Sequence, residues 1–288
     1  MAWAGIISID FLYAVASLIL VSLGLAVIFG MMRIINLAHG EFLVLGSYAA
    51  ILSSHAGVNI WVACLIVAPL AVGMIGFVIE RLLIRHLYGR LVDTMLATWG
   101  LSLFVVGLLT TVFGNDTQGV SAPLGPIHIG DYQASGYSLF VIGLALVVLA
   151  AVYGVLRFTR FGLFARGTMQ NADMAAALGV HVSAVYSTTF ALGAGLAGLA
   201  GGVLAPVTGV FPSIGGAYIG KAFITVLSGG SAILAGTSSA SVLLGAVDQI
   251  GTFATNAVFG QVGLLVAAVV LIRFMPQGIT SRFFRRSL

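Results

Sequence analysis

Side chains able to do chemistry are scarce in this chain, and the first to stand close together are Asn36, His39 and Glu41, within MRIINLAHGEF at 32–42. They open an otherwise apolar run. An ionised glutamate near the centre of a bilayer costs about 2.5–3.5 kcal/mol on insertion scales, so such groups face a bundle interior or a water-filled path. The other reading places Arg33, His39 and Glu41 at a membrane interface, where they are simply solvated. Residue types alone leave both open, although Gly40 between His39 and Glu41 favours a break in the helix with a backbone role. Zinc is disfavoured: positions i and i+2 diverge by about 200° on a helix, and no second histidine or cysteine accompanies the pair.

GGAYIGK at 215–221 matches the first seven positions of a phosphate-binding loop. The next residue is Ala222, so the hydroxyl that would hold magnesium is missing, and an apolar run follows. In a chain with 38 glycines, this near-match is read as chance, and ATP is not expected to bind here. Lys221, the only lysine, opens that apolar run. It either snorkels to the interface or presents a cation to a passing anionic group.

The elements that must position these groups are membrane helices. Of 288 residues, 60% are hydrophobic and 7% charged, against about 25% charged in a soluble domain. Apolar runs fall at 11–31, 35–54, 59–80, 94–113, 137–156, 183–205, 218–236, 239–256 and 258–274, each close to the length that spans a bilayer. The pattern predicts an all-α, polytopic transmembrane helical bundle of about 7–9 spans. It would be a single permease-sized domain over 1–288, with no room for a soluble catalytic domain. The Gly- and Ser-rich stretch 228–241, inside the segment 213–256, is a candidate broken or re-entrant pair, which membranes tolerate only where the backbone is buried or lines a cavity.

Net charge of +4 does not point to nucleic acid, because the basic residues sit at the ends of apolar runs. Arg81, Arg85 and Arg90 form one cluster, Arg157, Arg160 and Arg166 a second, and Arg273, Arg282, Arg285 and Arg286 a third. The positive-inside rule puts all three in the cytoplasm. The loop 114–136 carries Asp116 and Asp131 without Lys or Arg, and so faces outward. Counting crossings places the N-terminus outside and the C-terminus inside. No basic n-region precedes the first run, so the first helix is expected to be retained. Cys64 stands alone in an apolar run, which excludes a disulfide framework.

Two stretches read as contacts rather than chemistry. ALGAGLAGLAGG at 191–202 puts Ala191, Gly195, Gly198 and Gly202 on one face, a spacing that allows close helix packing within the bundle or with another membrane subunit. The loop 157–182 contains NADMAAALG. There Asn171 is an N-cap, Asp173 lies in the first turn and Gly179 suits the residue after the helix. Two turns are unstable alone in water, so the helix must dock. Met174 and Leu178, at i and i+4, form an apolar knob that either lies on the bilayer or enters a groove on a cytoplasmic partner.

INLAHGEFLVLGSY (35–48), NADMAAALGV (171–180) and KAFITVLSGG (221–230) together resemble the LivH-type branched-chain amino acid permease subunits of ABC importers. The resemblance covers nearly the whole chain. It implies a second homologous permease subunit, two cytoplasmic ATPases that bind the ATP and magnesium, a periplasmic substrate-binding protein, and the bacterial inner membrane. It also implies that Asn171 to Gly179, including Asp173, Met174, Ala175 and Leu178 and flanked by Arg166 and Gln170, form the coupling helix that contacts the ATPase. The substrate class implied is branched-chain or other hydrophobic amino acids, with urea or short amides as the alternative. An ion-coupled secondary transporter would have only Glu41 and Asp248 as its membrane carboxylates. An intramembrane enzyme would need a nucleophile or metal cluster that the sequence does not display.

Overall fold

A computed structural model describes residues 2–129, 132–230 and 232–280. Asp131, Ser231 and the arginines at 282, 285 and 286 fall outside the described residues. Every apolar run becomes a helix: α1 (Ala2–Met32), α2 (His39–His55), α3 (Ile60–Leu82), α4 (Leu91–Phe113), α5 (Gly136–Phe158), and then, after the 157–182 loop, α8 (Val182–Thr208), α9 (Gly215–Gly229), α10 (Ile233–Ala254) and α11 (Ala257–Phe274). The loop itself holds α6 (Arg160–Gln170) and α7 (Ala172–Ala177). Seven of the described helices are long and apolar enough to cross a membrane. The chain is a multi-pass, all-α membrane protein; a two-stranded hairpin, Pro126–Ile129 with Tyr132–Ser135, is an addition to the helices.

The irregularity lies partly elsewhere than expected. Within 213–256, α9 ends at Gly229 and α10 begins at Ile233, a 22-residue helix long and apolar enough to cross a membrane. The shortest helices formed by the apolar runs are α9, with 15 residues, and α2, with 17. Each follows an irregular segment, 33–38 before α2 and 209–214 before α9.

Contacts gather into two compact units interleaved along the chain. One comprises Met1–Ser22, Ala122–Leu149 and Lys221–Leu288, the other Leu23–Ser121 and Ala150–Gly220. In the second, α8 is the hub, and its small residues explain why. A β-carbon at Gly201 would stand 1.9 Å from the Leu43 carbonyl oxygen of α2, and one at Gly46 would stand 2.3 Å from the Gly198 oxygen. On its other side α8 meets α3, where Gly195 approaches the Pro69 oxygen, Gly198 the Val72 side chain and Gly202 the Ala68 methyl. The small-residue face therefore packs inside this chain. Such backbone-to-backbone approach is what association without a hydrophobic drive requires. The Ser47 hydroxyl adds a 2.9 Å bond to the Gly201 carbonyl.

In the first unit, Leu18 of α1, Leu244 of α10, and Leu264 and Ala268 of α11 form a buried cluster. The turn between α9 and α10 is tied down by the C-terminal segment. The Thr280 hydroxyl donates to the Gly229 carbonyl at 2.7 Å, and Gly278 lies so close under Gly230 that a β-carbon on it would come within 2.3 Å. Both glycines have positive φ, 85° at Gly230 and 80° at Gly278, a conformation an L side chain resists.

Candidate functional site

The break between α1 and α2 begins at Arg33, which holds φ at +52°. A non-glycine residue there costs on the order of 1–3 kcal/mol, and such strain clusters where a chain must turn for a functional reason. Once helical bonding stops, the backbone needs other partners. The Leu37 amide donates to the Thr98 hydroxyl of α4 at 3.1 Å, and the Ala38 amide donates to the Asn36 side-chain oxygen at 3.1 Å. At Leu37 and Ala38 the interrupted backbone thus finds partners within the protein, as a break in a membrane helix requires.

Asn36, His39 and Glu41 are all buried, Glu41 with 2% of its surface exposed. The solvated-interface reading fits Arg33, which is exposed, and fails for His39 and Glu41, which are buried. The Ser102 hydroxyl of α4 donates to Glu41 Oε1 at 3.0 Å. The Glu41 carboxylate lies against Gly215, the first residue of α9, so closely that a β-carbon there would sit 2.6 Å from both oxygens. A carboxylate at the first residue of a helix is favoured by the helix dipole. Gly40 does not break the helix; it lies inside α2, and a β-carbon on it would stand 2.1 Å from the Gly215 oxygen. Its role is close approach, and the break precedes it. His39 stands over Gly24 of α1, where a β-carbon would come within 3.1 Å of the imidazole Cε1.

The cluster therefore contains more than the sequence reading named. Thr98, Ser102 and Gly215 complete it. Thr94, Thr98 and Ser102 repeat every four residues along α4, a hydroxyl stripe that sequence spacing alone could have flagged. Gly215 carried no such signal. Glu41 Oε2 and the Asn36 amide nitrogen have no hydrogen-bond partner among the described residues, and each would gain about 1–3 kcal/mol from a polar group reaching it. Among the described residues there is no group of three or more His, Cys, Asp or Glu able to hold a metal. The arrangement can bind and reorganise polar groups.

Lys221 belongs to the other unit, in α9. Rather than snorkelling alone, it pairs with Asp248 of α10 at 3.3 Å, the two side chains being 31% and 21% exposed. Asp248, one of the two carboxylates open to a secondary transporter, is therefore engaged by a cation.

In the loop, the Asn171 side chain caps α7 by accepting from the Met174 amide at 2.9 Å, and Gly179 ends it at φ +86°. Ala175 is buried against its own chain, while Met174 and Leu178 are 59% and 78% exposed. Asp173 and Gln170 are also exposed. Arg166 does not flank α7 as a free cation: its guanidinium donates to the Leu156 carbonyl at the end of α5. α6, unanticipated from sequence, is capped by Thr159, whose hydroxyl accepts from the Gly162 amide at 3.1 Å. Beside Leu178 lies a cavity of about 480 Å³ lined by Phe161, Phe164, Val180 and Val185. Between α3 and α4, burial and a hydrogen bond to Glu80 push the Tyr88 hydroxyl above the usual tyrosine range, so it stays protonated and donates.

No solved structure matches the chain. The high-affinity branched-chain amino acid transport system permease protein LivH of Escherichia coli K12 is 27% identical over 280 residues, covering 91% of each chain. LivH of Salmonella typhimurium is 26% identical over the same length and coverage, and BraD of Pseudomonas aeruginosa is 26% identical over 283 residues, again with 91% of each covered. Residues 7–275 match the permease component of the branched-chain amino acid transport system, and the chain belongs to that family.

Proposed function

We propose that the chain is the membrane-spanning permease subunit of an ABC importer, carrying branched-chain or other hydrophobic amino acids across the bacterial inner membrane. A periplasmic binding protein delivers the substrate, a second homologous permease completes the path, and two cytoplasmic ATPases bind ATP and magnesium and drive the cycle. The names of the relatives support amino acids over urea or short amides. The observation that carries the reading is the α7 segment. A helix of six residues is capped at both ends and anchored by Ala175, and it presents Met174 and Leu178 outward. Apolar side chains held out on a short, well-fixed helix suit a groove on a partner protein. The arginine clusters put this segment, and the C-terminus, in the cytoplasm, with the N-terminus outside.

In this reading, closure of the ATPase dimer displaces α7 and the bundle follows, an alternating-access cycle in which the chain supplies a path and a gate. Asn36, His39 and Glu41 form one polar station on that path and Lys221 contributes to a second. The test uses the cysteine content of the chain. Cys64 is buried, so Met174→Cys introduces an accessible thiol, and bifunctional thiol–amine reagents should join it to the ATPase in purified complexes. Leu103→Cys, on the exposed face of α4, is the control. Equal labelling of the ATPase from both positions, or from neither, overturns the assignment.

A further inference from the structure

Glu80 lies in the last turn of α3 with its carboxylate fully buried. The Tyr88 hydroxyl donates to its Oε1 and the Ser187 hydroxyl to its Oε2. The three groups come from separate places: the end of α3, the turn that follows Ile84–Leu87, and the second turn of α8. The Tyr88 ring in turn meets the edge of Tyr186, centroids 4.9 Å apart. Tyr186 lies within electrostatic reach of Asp173 on α7 and Arg33 at the start of the break. Two residues on, the Thr189 hydroxyl reaches the Met31 sulfur at 3.8 Å, at the end of α1.

Packing alone gives no reason for an acid here. Apolar residues of similar volume commonly hold buried sites at least as well as charged ones, and a carboxylate in a membrane protein is costly unless its oxygens are engaged. Both oxygens of Glu80 are engaged, each by a neutral hydroxyl from a different segment. What a carboxylate offers beyond packing is two strong acceptors fixed in one plane, joining the end of α3 to the start of α8 with the turn at Tyr88 held between them. α7 packs against α8, and Tyr186 of α8 feels the charges of Asp173 on α7 and of Arg33, where the segment that positions Asn36, His39 and Glu41 begins.

We propose that Glu80 is a positioning residue for transport, the tie that makes α3 and the start of α8 move together when α7 is displaced. The proposal rests on the reading of α7 as the ATPase contact. With the tie intact, displacement of α7 shifts α3 and α8 as one body and reaches the broken segment. With it removed, only the glycine contacts farther along α3 and α8 join the two helices, and less of the displacement reaches the segment.

The test is the amount of ATP hydrolysed per leucine imported, in proteoliposomes holding the complete importer with its binding protein. Tyr88→Phe and Ser187→Ala each delete one hydroxyl and preserve the fold; Glu80→Gln and Glu80→Ala act on the carboxylate itself. In Glu80→Ala, uptake should fall about tenfold while hydrolysis stays within about twofold. The two hydroxyl deletions should each raise the ratio by a smaller factor, and Glu80→Gln, which keeps one acceptor, should lie between. Uptake and hydrolysis falling in parallel in the hydroxyl variants, or an unchanged ratio in all four, overturns the proposal. Met174→Asp in the same series separates the two readings. If it uncouples while the Glu80 series does not, only Glu80's role falls; if it changes nothing, the reading of α7 falls first.

Discussion

The two shortest helices formed by the apolar runs, α2 and α9, carry their ionisable groups in opposite ways. In α2 the charge is shut in: Glu41 is buried, bonded to Ser102 and pressed against the Gly215 backbone, and the helix is fixed to α8 by glycine contacts. In α9 the charge stays near the surface: Lys221 is partly exposed and answered by Asp248. The flanking glycines differ in the same sense. Gly40 has no room for a methyl group, whereas Gly216 and Gly220 have no neighbour within 4 Å of where one would stand. A buried carboxyl group with one oxygen unmatched is an expensive arrangement that packing must enforce, while a partly exposed ion pair is inexpensive and weakly constrained. α2 is therefore the tightly packed partner of the comparison and α9 the permissive one.

Substitutions can break this contrast, and the largest effect is expected where backbones touch. Gly201→Ala and Gly40→Ala should each destabilise by about 3 kcal/mol or more, since the overlap is with a carbonyl oxygen that cannot rotate away; thermal unfolding in detergent reads it. Glu41→Ala comes next. It removes the acceptor for Ser102 and the polar character of the station, and uptake should fall by about tenfold; Ser102→Ala alone should cost about 1 kcal/mol of stability. In α9, Lys221→Met and Asp248→Asn should each cost at most about 1 kcal/mol, and the double variant should recover much of that, as a part-exposed pair allows. Gly216→Ala is the smallest, within about 0.5 kcal/mol of no change. Were Gly216→Ala to destabilise as strongly as Gly40→Ala, the distinction between the two helices would not stand.

Much of this was legible in the sequence, for a physical reason. Apolar runs of spanning length announce membrane helices whatever they pack against, and the cap and stop residues of α7, Asn171 and Gly179, act locally. The burial of Asn36, His39 and Glu41 was only half legible, because the solvated and enclosed readings use the same residues and differ in what lies across from them. Gly215 and Thr98 lie far along the chain from Glu41 and Leu37, and nothing local in a sequence declares such a contact. The Lys221–Asp248 pair is hidden for the same reason, although each residue stands out singly in the sequence. α6 went unseen because Gly162 and Gly167 depress its helix propensity, and its stability comes instead from the Thr159 cap and the Arg166 bond to α5.

The central claim is that transport is driven from outside the chain, through α7. The most direct measurement is leucine uptake into proteoliposomes that contain the complete complex, with ATP present at the ATPase face and no ion gradient. Uptake should require ATP and the binding protein, and should be lost in Met174→Asp/Leu178→Asp while the complex still hydrolyses ATP. Leucine uptake by this chain without ATPase subunits, driven by a proton or sodium gradient and indifferent to those two substitutions, would contradict the account.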